Sequence, residues 1–524
     1  MKKVVFLFVL SFIAFTARSQ SIPVGQPGID EMLRILELTG KIDPSNSLAA
    51  RPFFYNKNFN RQDLLNLIDS SAEIDLAEKS FANNQIILGV LPAGLSTKYN
   101  SNYPYGWNDQ GMIMAKGLQT SVTAGVYAKF GPLSFQFQPE FVYAANNDYD
   151  ITSYYGSNSG KSFSKFYLGQ SAIRLNLGPA SIAASTENLW WGPGQFSSLL
   201  MSNNAPGFQH LSFHSNKPAK TAIGSFEWQL VVAKLNEDTS AAFENNYLKP
   251  FNPKNADRYF NGMVITYQPS FMKGFFFGLT RVVDMYAEDQ KNVQGSFISK
   301  YLPVLSGSSP DANANRNSIP SDGAFSLFTR WILPKHQAEF YLEYGYNDFK
   351  QNMRDFTTNA NHSSAYIAGF KKVITLRNDQ LLEISGEITQ MAQTTSYIVR
   401  NAGNWYEHGG VVQGLTFQNQ ILGAGSGKGN NVQTIQVKKI NGFDYVGLKF
   451  QRIQQDPKGF RGGQNTLGMG DYQWNDISLG VLGQKRFGKF LLNGEVQFVN
   501  STNYGWEKGN KFNLYALINC LYFF

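Results

Sequence analysis

The chain has 524 residues; only 16% are charged, and 42 Phe and 26 Tyr raise the aromatic share to 15%. A soluble domain carries about a quarter charged residues, yet the mean hydropathy of −0.27 excludes a helical membrane protein. The net charge of +8 is too small and too dispersed for nucleic acid, and the single Cys520 excludes an internally disulfide-stapled scaffold. Abundant aromatics and Gly with few charges fit a β-barrel in a membrane; an array of secreted β-sandwiches is the soluble alternative.

Residues 1–19 have the pattern of a signal peptide. Lys2-Lys3 open it, Val4–Phe15 is apolar, and Ala17-Arg18-Ser19 is a small-x-small cleavage site. Its removal takes away Lys2, Lys3 and Arg18, lowering the charge from +8 to +5. Beyond Phe15 no apolar run approaches the ~20 residues of a spanning helix. Residues 20–82 are expected to form a small α-helical domain on the periplasmic side. Ile29, Met32, Leu33 and Leu36 recur at helical spacing and Gly40 stops the helix; Asn60 caps a second helix, with Asp63 reaching back and Leu64, Leu67 and Ile68 as its apolar face. A plug, a foot on a larger domain, or a contact for export machinery are all open roles.

From Ile86 the period is two. Leu118, Val122, Val126 and Phe130 share one face, and Gln119, Ser121, Tyr127 and Lys129 the other. Gly131-Pro132 turns the chain, and Leu133, Phe135 and Phe137 resume the apolar face. Similar hairpins turn at Gly178-Pro179, Pro334-Lys335, Arg377–Asp379, Asn441–Phe443 and Phe487–Lys489. Long polar loops, Glu187–Pro206 and Thr394–Gly429 among them, alternate with these short turns. This is the pattern of an all-β transmembrane β-barrel over residues 83–524, with apolar-out, polar-in antiparallel strands numbering about 18. The last strand, with Phe512, Leu514, Ala516, Ile518, Cys520, Tyr522 and Phe524 on one face, ends in an aromatic residue as outer-membrane barrels do.

Catalytic signals are absent. His210 and His214 are four residues apart on a strand, about 13 Å, too far to share a metal. The run Gly423–Gly429 lacks the Ser or Thr of a phosphate loop and reads as a mobile outer loop. No G-x-S-x-G elbow occurs. Glu140, Glu227, Glu339, Glu343, Glu383, Glu387 and Glu495 point inward, where Arg174, Arg330 and Lys449 can pair with them. They read as lumen scaffolding rather than a glycosidase pair, which needs about 5–9.5 Å between carboxyls. No catalytic residue, metal or cofactor is assigned.

The most distinctive stretch is Glu187–Phe213, where Trp190 and Trp191 precede the turn Gly192-Pro193-Gly194. Two readings stand: packing anchors that pull a long loop onto the protein, or a platform on which sugar rings stack while Asn203 and Asn204 bond hydroxyls. The segments W-W-G-P-G, S-L-L-M-S-N-N-A and H-L-S-F resemble the signature of the Wzi family of capsule-assembly proteins, as does Tyr103–Ala128, beginning Y-P-Y-G-W-N-D-Q-G. Phe226–Leu235, Asn261–Pro269, Gln420–Asn430 and Arg452–Pro457 follow in the family's order. The resemblance spans nearly the whole mature chain. It implies an outer-membrane lectin-like barrel, non-catalytic, that attaches capsular polysaccharide or exopolysaccharide to the cell surface. Outer-membrane lipid surrounds such a barrel, and a monomer is expected. Tyr103, Tyr105, Trp107, Trp190, Trp191, Trp405 and Tyr406 are the candidates for stacking sugars; Asp109, Asn203, Asn204, His210 and Arg400 are the candidates for bonding hydroxyls or acidic groups. Membrane-interface or loop-anchor roles compete for the aromatics. A diffusion channel is the first rival function, and a barrel glycan hydrolase the second.

Overall fold

A strand that is apolar on one face and polar on the other satisfies its backbone in lipid only when the sheet closes on itself. The computed structural model describes residues 21–26, 28–54, 61–68, 77–82, 85–149, 160–240, 242, 257–306, 319–347, 357–358, 361–393, 404–456 and 472–524, and it has this closure. The expected leader 1–19, Asn60 and Arg400 lie outside the described residues, as do the side chains of Asp63 and Leu64.

Eighteen antiparallel strands make the wall. They are β1 (Ile86–Asn100), β2 (Gly117–Phe130), β3 (Leu133–Phe137 with Glu140–Ala144), β4 (Phe163–Tyr167 with Ala172–Leu177), β5 (Ala180–Ser185) and β6 (His210–Ser215). Then come β7 (Gly224–Leu235), β8 (Arg258–Pro269), β9 (Phe275–Tyr286), β10 (Ser321–Leu333), β11 (Ala338–Tyr346) and β12 (Ser364–Thr375). The last six are β13 (Leu381–Gln390), β14 (Asn431–Asn441), β15 (Asp444–Gln454), β16 (Asn475–Phe487), β17 (Phe490–Thr502) and β18 (Asn510–Tyr522). β18 pairs with β1 from Tyr515↔Asn100 to Tyr522↔Ala93, so the sheet has no seam there. The expected short turns lie together at one end with both termini of the wall, which makes that end periplasmic.

Alternation sets the two faces. On β2, Leu118, Val122, Val126 and Phe130 are each about half exposed, whereas Gln119 is at 0% and Ser121 at 6%. The exposed row is the lipid belt; the buried row lines a packed interior. Cys520 lies half-buried on the lipid row of β18.

Helix α1 (Asp30–Leu38) enters that interior from the periplasmic end. Met32, Leu33, Ile35, Leu36 and Leu38 are buried on every side of it, as is normal for a helix inside a core. They pack on Phe276, Ile332, Val373, Ile440, Leu491 and Leu521, the inward residues nearest the short turns. Gly40 ends the helix at φ +71°, and the Lys41 N–H bonds back to the Leu36 carbonyl. A second helix, α2 (Arg61–Ile68), adds the buried Leu65 and Ile68 to the same cluster.

Ion pairs fix α1 to the wall. Arg34 reaches Glu339 of β11 at 2.9 Å, Glu37 takes Arg330 of β10 at 2.9 Å, and Glu31 takes Lys438 of β14 at 2.6 Å. Burial pushes the Glu31 carboxyl up, but Lys438 and then Lys371 more than offset it and hold it down at about 2. A depressed acid contributes stability above its ordinary value near 4.5 and loses it as pH falls toward 2. Acidification from pH 5 to pH 2 is therefore expected to loosen α1, and Glu31→Gln should flatten that dependence. Hydrogen exchange of the α1 amides, followed across pH and corrected for the intrinsic rate, measures it.

Candidate functional site

Three outer loops turn into the lumen instead of standing above it. The first carries the double tryptophan and joins β5 to β6. Trp190 and Trp191 pair as a short strand with Arg51 and Ala50 of the N-terminal segment, and the Gly192 N–H reaches the Ala49 carbonyl at 2.8 Å. The Trp191 indole N–H donates to Gln229 of β7 at 2.7 Å. Its ring lies on Gly262 of β8, where an added Cβ would come within 2.6 Å of the indole. The Arg51 guanidinium stands over the Trp190 ring, 4.5 Å from its centroid.

The turn beyond is clamped by wall carboxylates. Glu387 of β13 accepts from the N–H groups of Gln195 at 2.6 Å and Phe196 at 3.1 Å, and Glu343 of β11 accepts from Leu199 at 3.3 Å. From below, Arg34 of α1 donates to the Pro193 and Gly194 carbonyls. The expectation that the inward carboxylates scaffold the lumen thus takes a specific form: they bind the backbone of an ingoing loop. Lys449 pairs with Glu495 and Arg330 with Glu339, as expected, whereas Arg174 pairs with Glu187, which was not among the expected carboxylates.

The second loop, 101–116, places the Tyr105 hydroxyl on Gln451 of β15 at 2.7 Å and Ser478 of β16 at 3.0 Å, three to four strands round the wall from β1. The third, 404–430, puts Trp405 and Tyr406 in contact at 5.8 Å between centroids. The Tyr406 hydroxyl donates to the Leu199 carbonyl at 2.7 Å. Arg258 of β8 ties this loop to the wall through the Thr416 carbonyl at 2.8 Å, Asp284 at 3.0 Å and Glu237. Burial pushes the Glu237 carboxyl above its ordinary range, against the pull of that guanidinium.

The glycine run 423–429, expected as a mobile outer loop, is part of this packing: Ala424 is 0% exposed. An added Cβ at Gly423 would fall 2.2 Å from the Leu199 carbonyl oxygen, and one at Gly425 2.2 Å from the Asn204 amide. Glycine serves close approach there, not motion.

The structure brings most of the candidate residues to the junction of the three loops. Asn203 donates to the Asn108 carbonyl at 3.2 Å, Asn204 to the Ile421 carbonyl at 2.9 Å, and the Trp107 indole to the Phe196 carbonyl at 3.4 Å. Asp109 pairs with Lys98 at 2.7 Å. Trp190, Trp191, Tyr103, Tyr105, Trp405 and Tyr406 are all buried, 4% exposed or less; Trp107 alone among the candidate rings is half-buried. One candidate sits apart: His210 faces the lumen from β6 and holds the Phe208 carbonyl at 2.8 Å. Tyr103 and Tyr105 share an aromatic cluster with Tyr504, Trp474 and Trp506, and Trp107 packs against it.

Asn108, Asp109, Gln110, Gln138, Gln170 and Asn203 line a cavity of ≈ 140 Å³ between the second loop, the Pro23–Gln26 segment and the wall. The amides of this lining can both donate and accept, and the Asp109 carboxylate accepts. Gln138 and Gln170, like Arg34, Arg51 and Arg258, were not singled out from the sequence. Their partners are distant in the chain, and no local pattern marks them.

The family sequence model described as capsule assembly protein Wzi matches residues 101–513. Among solved structures the chain is similar to Wzi of Escherichia coli, described as an outer-membrane protein involved in group 1 capsule assembly and a carbohydrate-binding β-barrel. That similarity has 11% identity, 95% of this chain and 99% of that chain covered, and a TM-score of 0.63. The chain is also similar to OprD of Pseudomonas aeruginosa, with 8% identity, 86% and 98% coverage and a TM-score of 0.41. OccD3 of the same organism gives 8% identity, 86% and 94% coverage and a TM-score of 0.41. No curated protein sequence matches the chain. The family match runs from the start of the second ingoing loop, at residue 101, into β18 and takes in all three loops of the junction: the chain belongs to the Wzi family of capsule assembly proteins.

Proposed function

We propose that the protein is a non-catalytic, lectin-like barrel of the outer membrane that binds exported capsular polysaccharide or exopolysaccharide and holds it on the cell. In this reading residues 1–19 direct export, residues 20–82 form the periplasmic-side unit that meets the export machinery, and the barrel acts as a monomer. The observation that carries the reading is the interlocked junction. Three outer loops and α1 occupy the lumen, so the protein offers polysaccharide an amide-rich surface rather than a channel. The family membership supports the substrate class.

Trp107 is the ring we assign to stacking, because it keeps partial exposure beside the amides of Asn108, Asn203 and Asn204. The amide-lined cavity that contains Asp109 and Asn203 is the hydroxyl-binding site. Trp107→Ala is expected to weaken attachment by roughly tenfold, ~1.4 kcal/mol. The check is to compare polysaccharide on cells with that shed into the medium: total unchanged, shed fraction raised. Complete deletion of the protein with both pools unchanged sinks the attachment role; deletion that sheds polysaccharide while Trp107→Ala does not sinks only the assignment of that ring.

A further inference from the structure

The barrel wall is not equally tall all round. β1 has 15 residues, β2 14 and β7 12, but β5 and β6 have 6 each. Six residues rise about 20 Å along a strand, and a tilt near 40° leaves ~15 Å against an apolar band of about 25 Å. The wall is therefore notched on its outer side. The outer segment of β4, Phe163–Tyr167, pairs with β3, and among the described residues no strand pairs with its other edge. Across the notch, β6 ends at His210↔Ala233, so Lys234 and Leu235 of β7 are paired only with β8. Lys165 bridges the top of the gap to Asp238 at 2.6 Å.

Side chains convert the notch into a groove of ≈ 620 Å³. Phe135, Phe137 and Leu168 form one bank, Leu211 and Val232 the other, and Ala184 the floor. Leu168 is 44% and Leu211 62% exposed. Lys234 stands at the outer end, paired with Asp257 and itself two-thirds exposed. Tyr259 also lines the groove and donates to the Tyr301 carbonyl of the segment Ala287–Leu305. That segment lies against the outside of the wall: Val293 and Val304 pack on the outward-facing Met263, Val283 and Met285, leaving Phe297 70% exposed. Apolar surface thus continues from the lipid belt through the groove and onto this flap.

We infer that the groove above β5 and β6 binds an acyl chain of an anionic glycolipid of the outer leaflet, with the headgroup phosphate at Lys234. The groove opens onto the lipid belt, so lipid is what meets it. The pair of Lys234 with Asp257 is exposed and therefore weak, so the lysine can exchange that carboxylate for a phosphate. The fall from this lysine to an aliphatic floor matches a lipid lying headgroup outward. Its location on the outer face of the wall separates it from the polysaccharide junction inside, and the two assignments stand or fall independently.

The test is native mass spectrometry of the full-length protein in detergent, titrated with bis-phosphorylated lipid A or with phosphatidylethanolamine. Heat-modifiable gel mobility confirms that each variant is a folded barrel. The wild type is expected to retain lipid A. Ala184→Trp, which fills the floor, should lower the bound fraction about tenfold, and Lys234→Ala about threefold, as for an exposed charge contact. Ile518→Trp, on the lipid face of β18, should change nothing. A wild type that retains no lipid A overturns the assignment, as does undiminished retention by Ala184→Trp. Should Ala184→Trp not assemble, undiminished retention by the surface variant Lys234→Ala overturns the headgroup position. Equal retention of phosphatidylethanolamine overturns the glycolipid.

Discussion

Replacing Trp190 and Trp191 by Ala is expected to leave a barrel that assembles but conducts ions. The wall owes nothing to these rings, since its strands bond to one another all the way round. The lumen owes them a great deal. Trp191 is 0% exposed and fills the space over Gly262, and truncating a core Trp costs about 3–5 kcal/mol. No single remaining tie offsets that loss, since a charged hydrogen bond such as those Glu387 makes to the loop is worth about 1.5–3 kcal/mol, and the loop is expected to loosen around the vacated space. In planar bilayers the wild type should be silent and the double variant should open in steps. Gly262→Val should act in the same direction without touching either Trp, because the indole and the new side chain would occupy one space. Steady conductance from the wild type sinks the filled-lumen account. Silence from both proteins means that the other two loops suffice.

This prediction separates the two readings of the double tryptophan that the sequence left open. The backbone pairing of Trp190-Trp191 with Ala50-Arg51, and the burial of both rings, support the anchor. A sugar that stacked on Trp191 would first have to displace the loop from Gln229 and Gly262.

The wall was legible because lipid imposes a period of two on every strand, and a local pattern reports it. Leu118 and Gln119 fall on the faces assigned to them, and the Gly-Pro and polar turns fall at one end. The interior was not legible, because an ingoing loop and an outgoing loop need the same polar, glycine-rich composition. Gly423–Gly429 was expected outside on that composition, yet its glycines admit the Leu199 carbonyl and Asn204. The partners of Trp191 lie in β7, in β8 and at Ala50, far off in the chain, and no window of sequence holds them together. One signal was present. Glu343 faces Phe328 and Ile367 across its neighbouring strands, and Glu387 faces Gly369 and Thr434. An inward carboxylate with no cation beside it on the wall must find its donors from something that enters the lumen.

The second large effect is expected at Arg330. This residue is 0% exposed and joins three parts of the chain. Its guanidinium donates to Glu339 of the wall at 2.6 and 2.8 Å, to Glu37 of α1 at 2.9 Å and to the Ser47 carbonyl at 3.1 Å. Arg330→Met would leave Glu37 buried without its cation, and breaking a buried pair from one side costs about 3–5 kcal/mol. Arg34, the other cation on Glu339, belongs to α1 itself, so once the helix leaves, Glu339 has, among the described residues, only the field of Lys371 on β12. The first loss falls on Glu37 and with it on α1. The helix should leave the periplasmic mouth while the barrel stays folded, and trypsin should cut at Lys41 at a protein concentration and time that leave the wild type whole. Arg330→Lys should fall between the two, because an ammonium cannot present the same fork to two carboxylates. Lys485→Met is the control. Its pair with Asp444 is 58% exposed on the lysine side, and exposed pairs are worth about 0–1 kcal/mol. If Arg330→Met protects Lys41 as well as the control does, the ion pairs at the periplasmic mouth are dispensable, and apolar packing of Met32, Leu33 and Leu36 alone seats the helix.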